Sequence, residues 1–187
     1  ANAANIALGP DGKAHVVFSI NRVAHFEVGT SYTLWPLYDG IGYWNEDMET
    51  FSGDVDALAP PQYGFEKSEM VEDVNYIGWM QDVDGSGTVE LEGIMNYHST
   101  GMSTMPSIAI DDFGIIYVLY ASNTEGYVYT GGSEPVNYKH IWARAYSNNQ
   151  WGDFVDLSED ISHIFDECIY PIIGKAEGPS LHYIFNA

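Results

Sequence analysis

Basic residues are the first shortage of this chain. Its 187 residues hold 6 Lys and Arg against 27 Asp and Glu, a formal charge of −21 at pH 7. A surface of that sign repels phosphate backbones and anionic headgroups, which argues against nucleic acid and acidic membranes as partners. Cysteine is the second shortage. Cys168 stands alone, so an internal disulfide framework and a Cys-rich zinc site are both excluded. It lies in the apolar run 164–173 with no activating base beside it, and reads as a small buried hydrophobe. Long apolar runs are also missing: no stretch reaches the roughly 18 residues of a membrane-spanning helix. Long amphipathic helical patterns are absent as well. The chain opens on Ala1 rather than Met, without a secretory leader, and is read as a mature or trimmed piece of a longer polypeptide.

What is present points to strands and turns. There are 14 Tyr, 8 Phe and 5 Trp, with 19 Gly to punctuate them, as expected of an all-β chain of short strands. The chain also repeats itself. Residues 5–21 (NIALGPDGKAHVVFSIN) match 107–123 (SIAIDDFGIIYVLYASN) at an offset of 102, with Gly12 on Gly114. The second halves match at an offset of 107, which sets Trp35 and Trp44 on Trp142 and Trp151. A third, partial copy begins at Pro171, at an offset of 65 from the copy at Pro106. Short-strand units repeated at tens of residues predict a propeller or another repeat array. The expected units are 5–51, 107–157 and 168–187, with 52–106 either a diverged blade or an insertion. The near-continuous apolar run Ile115–Tyr120 predicts a strand buried on both faces. Trp142 and Trp151 are the expected wedges between units, and His15 is expected to pack rather than to ligate.

One loop carries chemistry. Asp82, Asp84 and Ser86 hold the first, third and fifth places of a calcium loop, Gly87 the sixth, and the Thr88 carbonyl the seventh. Gly93 stands where a bidentate Glu is wanted, leaving Glu90 or Glu92 to substitute. The expectation is therefore a calcium site from Asp82, Asp84, Ser86, Thr88, Glu90 and Glu92, set against a hairpin turn that caps itself. The carboxylates Asp111, Asp112, Asp153, Asp156, Asp166 and Glu167 invite a glycosidase reading, since that chemistry needs two opposed carboxyl groups. In a chain this acidic, most such pairs are turn residues or solvated surface. Ser162 and His163 lie too close in sequence to Asp166 and Glu167 for the usual triad, whose members come from separate segments.

Several segments resemble one family. Gly101–Pro106 (GMSTMP), Tyr120–Glu125 (YASNTE), His140–Arg144 (HIWAR), Trp151–Leu157 (WGDFVDL) and His163–Pro171 (HIFDECIYP) are similar to segments of secreted Bacteroidetes proteins. Those carry a sialidase-like, BNR-type β-propeller and are often cargo of the type IX secretion system. Gly40–Asn45 (GIGYWN) and Tyr76–Gly87 (YIGWMQDVDGSG) extend the likeness over most of the chain. Ser147-Asn148-Asn149-Gln150-Trp151 resembles a shortened Asp-box, a structural hairpin in such folds. The resemblance implies an antiparallel β-propeller, here an incomplete fragment of about three blades or part-blades, and an exported or cell-surface location. It implies no catalytic residues. A sialidase of the usual kind uses three arginines, and this chain has Arg22 and Arg144 only. The expected role is a non-catalytic module for scaffolding or for binding a glycan or protein, partnered by further blades or domains of its own polypeptide. The alternatives are a glycoside hydrolase completed by other blades, or cargo bound to the outer-membrane secretion machinery.

Overall fold

The computed structural model describes residues 3–24, 32–35, 37–94, 100–177 and 180–187. Among them the fold is all-β, with one short 3-10 turn at Pro61–Tyr63, and every strand pair is antiparallel. The first sheet has the order β1 (Ala4–Leu8), β2 (Ala14–Ser19), β5 (Ile41–Asn45) and β6 (Tyr76–Gly78). The central sheet runs β7 (Ser103–Ile110), β8 (Ile116–Tyr129), β9 (Val136–Ser147) and β10 (Gln150–Trp151), with β11 (Val155–Asp156) also on β9. Two pairs stand apart: β3 (Arg22–Ala24) with β4 (Thr33–Trp35), and β12 (Ile169–Glu177) with β13 (Ser180–Asn186). Among the described residues no sheet closes on itself.

The same hairpin opens the first and central sheets. Ile6 faces Val16 in β1–β2, and Ile108 faces Val118 in β7–β8, the register an offset of 102 requires. The turns agree too. Gly12 N–H donates to Gly9 O at 2.9 Å and Gly114 N–H to Asp111 O at 3.0 Å, and both glycines have φ +82°. That φ is left-handed, where a Cβ is strained, and it explains why glycine recurs at this point of the repeat. The C-terminal hairpin starts in the same register, with Ile172 opposite Ile184 and Ile173 opposite Tyr183, then shifts by a bulge before Lys175 pairs with His182.

The third strands do not follow the tryptophan spacing. Val17 pairs with Tyr43 and Leu119 with Ala143, so β5 and β9 correspond at an offset of 100 rather than 107. Trp44 thus takes the place of Arg144, and Asp39 the place of Lys139, just before the strand in one copy and inside it in the other. Trp151 sits on the fourth strand, opposite Tyr146, across a two-residue turn whose Asn148 and Asn149 have φ 52° and 63°. Positive φ at both positions is the mark of a type I′ hairpin turn, which asparagine tolerates. Strand pairing, not the indole spacing, sets the repeat.

The central sheet is covered on both faces. Val118, Tyr120, Ile108, Trp142 and Trp151 pack on Val17, Ile41, Tyr43 and Ile77 of the first sheet. Leu119, Ala121 and Ile141, together with Cys168, pack under Ile173, Leu181, Tyr183 and Phe185 of the C-terminal hairpin. Period-two alternation along β8 sends its even residues one way and its odd residues the other. Both sets are apolar because both faces are buried, which accounts for the unbroken run at 115–120. Each buried Val, Leu or Ile among them contributes roughly 1.5–3 kcal/mol of transfer energy. The outer face of the first sheet is capped only in part: Phe51, Phe65 and Met70 pack with Phe18, Ile20 and Tyr38, while Ile6 and Leu8 stay exposed.

Candidate metal centre

The acidic loop 82–92 hangs from the central sheet. β6 ends at Gly78, and the Met80 N–H donates to Asp39 Oδ2 at 2.8 Å, fixing where the loop departs. On the far side, Ile94 forms a bridge with Asn137 of the central sheet. Asn137 clamps this exit. Its Oδ1 accepts the Glu92 N–H at 2.8 Å and the Gly93 N–H at 3.4 Å, its own N–H donates to Gly93 O, and its Nδ2 donates to Thr124 O. Among the described residues, 79–93 form a clamped loop without strand pairing.

Glu125 is the pivot. The pairing of β8 with β9 breaks between Asn123 and Val128, and the irregular stretch buries the Glu125 carboxylate beneath the loop. Its Oε1 accepts the Glu90 N–H at 2.7 Å, and its Oε2 accepts the Val83 and Asp84 N–H groups at 2.8 and 3.4 Å. These backbone donors, Glu90 first, hold the Glu125 carboxyl below its ordinary range despite burial, so it is ionised at neutral pH.

Inside the loop the short polar side chains fold back on the backbone. Asp82 accepts the Ser86 N–H at 3.0 Å and the Gly87 N–H at 2.7 Å, and Asp84 accepts the Ser86 N–H at 2.9 Å. The Ser86 hydroxyl donates to Thr88 O at 2.9 Å and lies 3.3 Å from Glu90 Oε2, while the Thr88 hydroxyl donates to Glu90 Oε1. Gly85 and Gly87 make the reversal possible, with φ 72° and 95°.

One carboxylate oxygen from each of Asp82, Asp84 and Glu125 lies within 4.8 Å of the other two. Oxygens bound to one Ca²⁺ at about 2.3–2.6 Å stand at most about 5 Å apart, so the trio can share a cation. Asp82 and Asp84 are candidates that the sequence also offered. Ser86, Thr88 and Glu90 surround the group through hydrogen bonds, whereas Glu92 is exposed and its contact here is the backbone one to Asn137. Glu125 was not anticipated. It brings a third carboxylate from another strand, in a loop whose twelfth place is Gly93, and no local spacing could point to it.

The other acidic residues of interest serve the backbone. Asp111 caps its own turn by accepting the Phe113 and Ile115 N–H groups, each at 2.9 Å. Asp156 holds buried His140 at 2.5 Å and the Ser158 hydroxyl at 3.0 Å. Asp166 meets His163 at 3.2 Å, Glu167 accepts the Lys139 N–H at 2.7 Å, and Asp112 and Asp153 are exposed. His15 is hydrogen-bonded to the Tyr43 hydroxyl at 2.7 Å, and burial lowers its pKa. Cys168 is fully buried, which pushes its thiol up to about 11 and leaves it a poor nucleophile. Trp142 is buried with Nε1 donating to the Thr124 hydroxyl at 3.1 Å, and Trp151 meets Tyr43 edge-on, so both lie between the sheets and not on a rim. Among the described residues no helix is long and apolar enough to cross a membrane. No family model, curated protein or solved structure matches this chain.

Proposed function

We propose that this chain is part of an exported, non-catalytic β-propeller module that scaffolds or binds a glycan or protein, with a calcium ion stapling the loop at 82–90 to the central sheet. The observation that carries the reading is the repeated hairpin, used twice in matching register and a third time with a bulge after a matching start, and stacked face to face in three layers. Successive propeller blades repeat and stack in this way. The trio Asp82, Asp84 and Glu125 supplies hard oxygen donors at a spacing that suits Ca²⁺, and backbone carbonyls and water complete a shell of 6–8. The carboxylates that suggested glycosidase chemistry cap turns, bind His140 or lie on the surface, which favours a binding role over hydrolysis.

The test is affinity electrophoresis through gels of purified polysaccharides, with and without millimolar calcium, followed by an assay for new reducing ends. The expected result is calcium-dependent retardation with no reducing ends formed. Release of reducing ends would make the chain a hydrolase and overturn the reading.

A further inference from the structure

The C-terminal hairpin repeats the central one in fine detail. Ile172 opposite Ile184 matches Ser107 opposite Leu119, 65 residues earlier. In both hairpins the register slips at the same place, between Thr104 and Ser107 and between Ile169 and Ile172. Met105 and Tyr170, inside those two bulges and each followed by a proline, share φ +54°. Residues 65 apart are therefore equivalent in backbone as well as in pairing. With the offset of 102 that relates β1–β2 to β7–β8, the three layers correspond position by position.

Each layer has a forward and a backward face. Ile173, Tyr183 and Phe185 of the hairpin pack back on the central sheet, and their equivalents Ile108, Val118 and Tyr120 pack back on the first sheet. Leu119 receives the hairpin, and its equivalent Val17 receives the central sheet; both are 0% exposed. The Ile173 N–H donates to Ser107 Oγ at 3.0 Å across the first of these contacts. The third equivalent, Ile184, is uncovered. It is 69% exposed, with Ile172 beside it at 54% and Tyr170 at 43%. At the other end of the stack, Ile6 is the equivalent of Ile108 and Ile173. It stands bare with Leu8, because the capping residues Phe51, Phe65 and Met70 pack with Phe18, Ile20 and Tyr38 rather than with β1.

We propose that copies of this chain associate head to tail, the bare forward face of one copy (Tyr170, Ile172 and Ile184) receiving the bare backward face of the next (Ile6 and Leu8). The occupant is a second copy because the two faces are the halves of one contact, made twice inside the molecule and left open once at each end of the stack. Their chemistry agrees. β1 carries no charged residue, and β12 and β13 hold Lys175 and Glu177, in a chain with 27 acids. These strands thus bring a single carboxylate between two copies whose surfaces otherwise repel. Apolar surface of this kind marks an association site. A head-to-tail contact is heterologous, and its repetition either closes a ring or extends a row. The inference rests on strand register and burial, and goes beyond the calcium and ligand-binding reading without depending on it.

The experiment is light scattering and sedimentation velocity of the 187-residue chain over a range of concentrations, without calcium or glycan. The mass is expected to rise from 20.8 kDa to at least twice that value as concentration increases. Higher salt should favour the rise, since it screens the acidic surfaces and leaves an apolar contact intact. Ile184→Lys and Ile6→Lys should each weaken association on the order of tenfold or more, the scale of one large apolar side chain withdrawn from a contact. Each lowers the net negative charge, so added repulsion would not account for the loss, and neither should move the urea midpoint of the dilute monomer. Mixed in equal amounts, the two variants should form pairs of twice 20.8 kDa, since each supplies the face that the other has lost. A chain that stays monomeric at every concentration would overturn the proposal. Association that survives either substitution would do so too, by placing the contact elsewhere or between two like faces, and so would a mixture no larger than its parts.

Discussion

Ile6 and Ile108 occupy the same place in two copies of one hairpin, yet the first is 62% exposed and the second 6%. Backbone register, turn and glycine geometry agree between the copies, so the difference does not arise within the hairpin. It arises from what lies against it: β7 is packed into a sheet covered on both faces, while β1 is the outer strand of a sheet with one face only partly capped. A repeat therefore specifies strand pairing locally and leaves burial to its neighbours. The contrast at Asp39 and Lys139 makes the same point for charge. The two take equivalent places before and within the third strand, both are buried, and they carry opposite signs.

The contrast can be broken by paired substitutions. Ile108→Ala is expected to cost about 2–5 kcal/mol, the range for emptying a packed site. Ile6→Ala should stay within about 0.5 kcal/mol, as for an exposed residue. Urea unfolding of both variants checks this, and similar losses would mean that β1 is packed as tightly as β7. The turns should behave alike where the strands do not. Gly12→Ala and Gly114→Ala each place a Cβ at φ +82° with nothing within 4 Å, so strain alone should cost about 1–2 kcal/mol at each. Unequal losses would show that the two turns differ in more than their surroundings.

The smallest effect concerns the charge contrast and is read from pH. Burial lowers the Lys139 pKa from 10.5 to about 8. Between those values the unfolded chain holds the proton that the folded chain has released, so stability rises with pH. Below about 8 both states are protonated and this contribution is flat. Burial raises the Asp39 carboxyl, which has the opposite consequence: its contribution falls as pH rises from the usual carboxylate range through the raised value. The urea midpoint should therefore climb over about half a unit above pH 8, before the Cys168 thiol and the buried tyrosines, all raised by burial, ionise in the unfolded chain and act with the opposite sign. A flat or falling midpoint over that window would contradict the account of Lys139.

How much of this could be read from residues alone follows from how local each signal is. The hairpin registers were legible, because Gly12 and Gly114 punctuate strands whose apolar residues alternate in step. The third-strand correspondence was misaligned, because tryptophan spacing is conspicuous but carries no pairing information; Trp44 and Trp151 lie on different strands of their sheets. The acidic loop was legible through Asp82, Asp84 and its glycines. Glu125 was not, since it reaches the loop only through an irregular stretch of β8. Asp39 was hidden for a related reason: in the sequence it stands beside Gly40 as an ordinary turn aspartate, and its burial comes from tertiary packing.

The reading of the loop as a calcium staple is tested most directly by thermal unfolding of the wild-type chain and Glu125→Gln, each with and without millimolar calcium. Calcium that binds the folded state alone should raise the wild-type Tm, and the variant, which keeps the shape of the side chain but loses its charge, should show little or no rise. No rise in the wild type, or an equal rise in the variant, would contradict the account and reduce the loop to a turn held by its own hydrogen bonds.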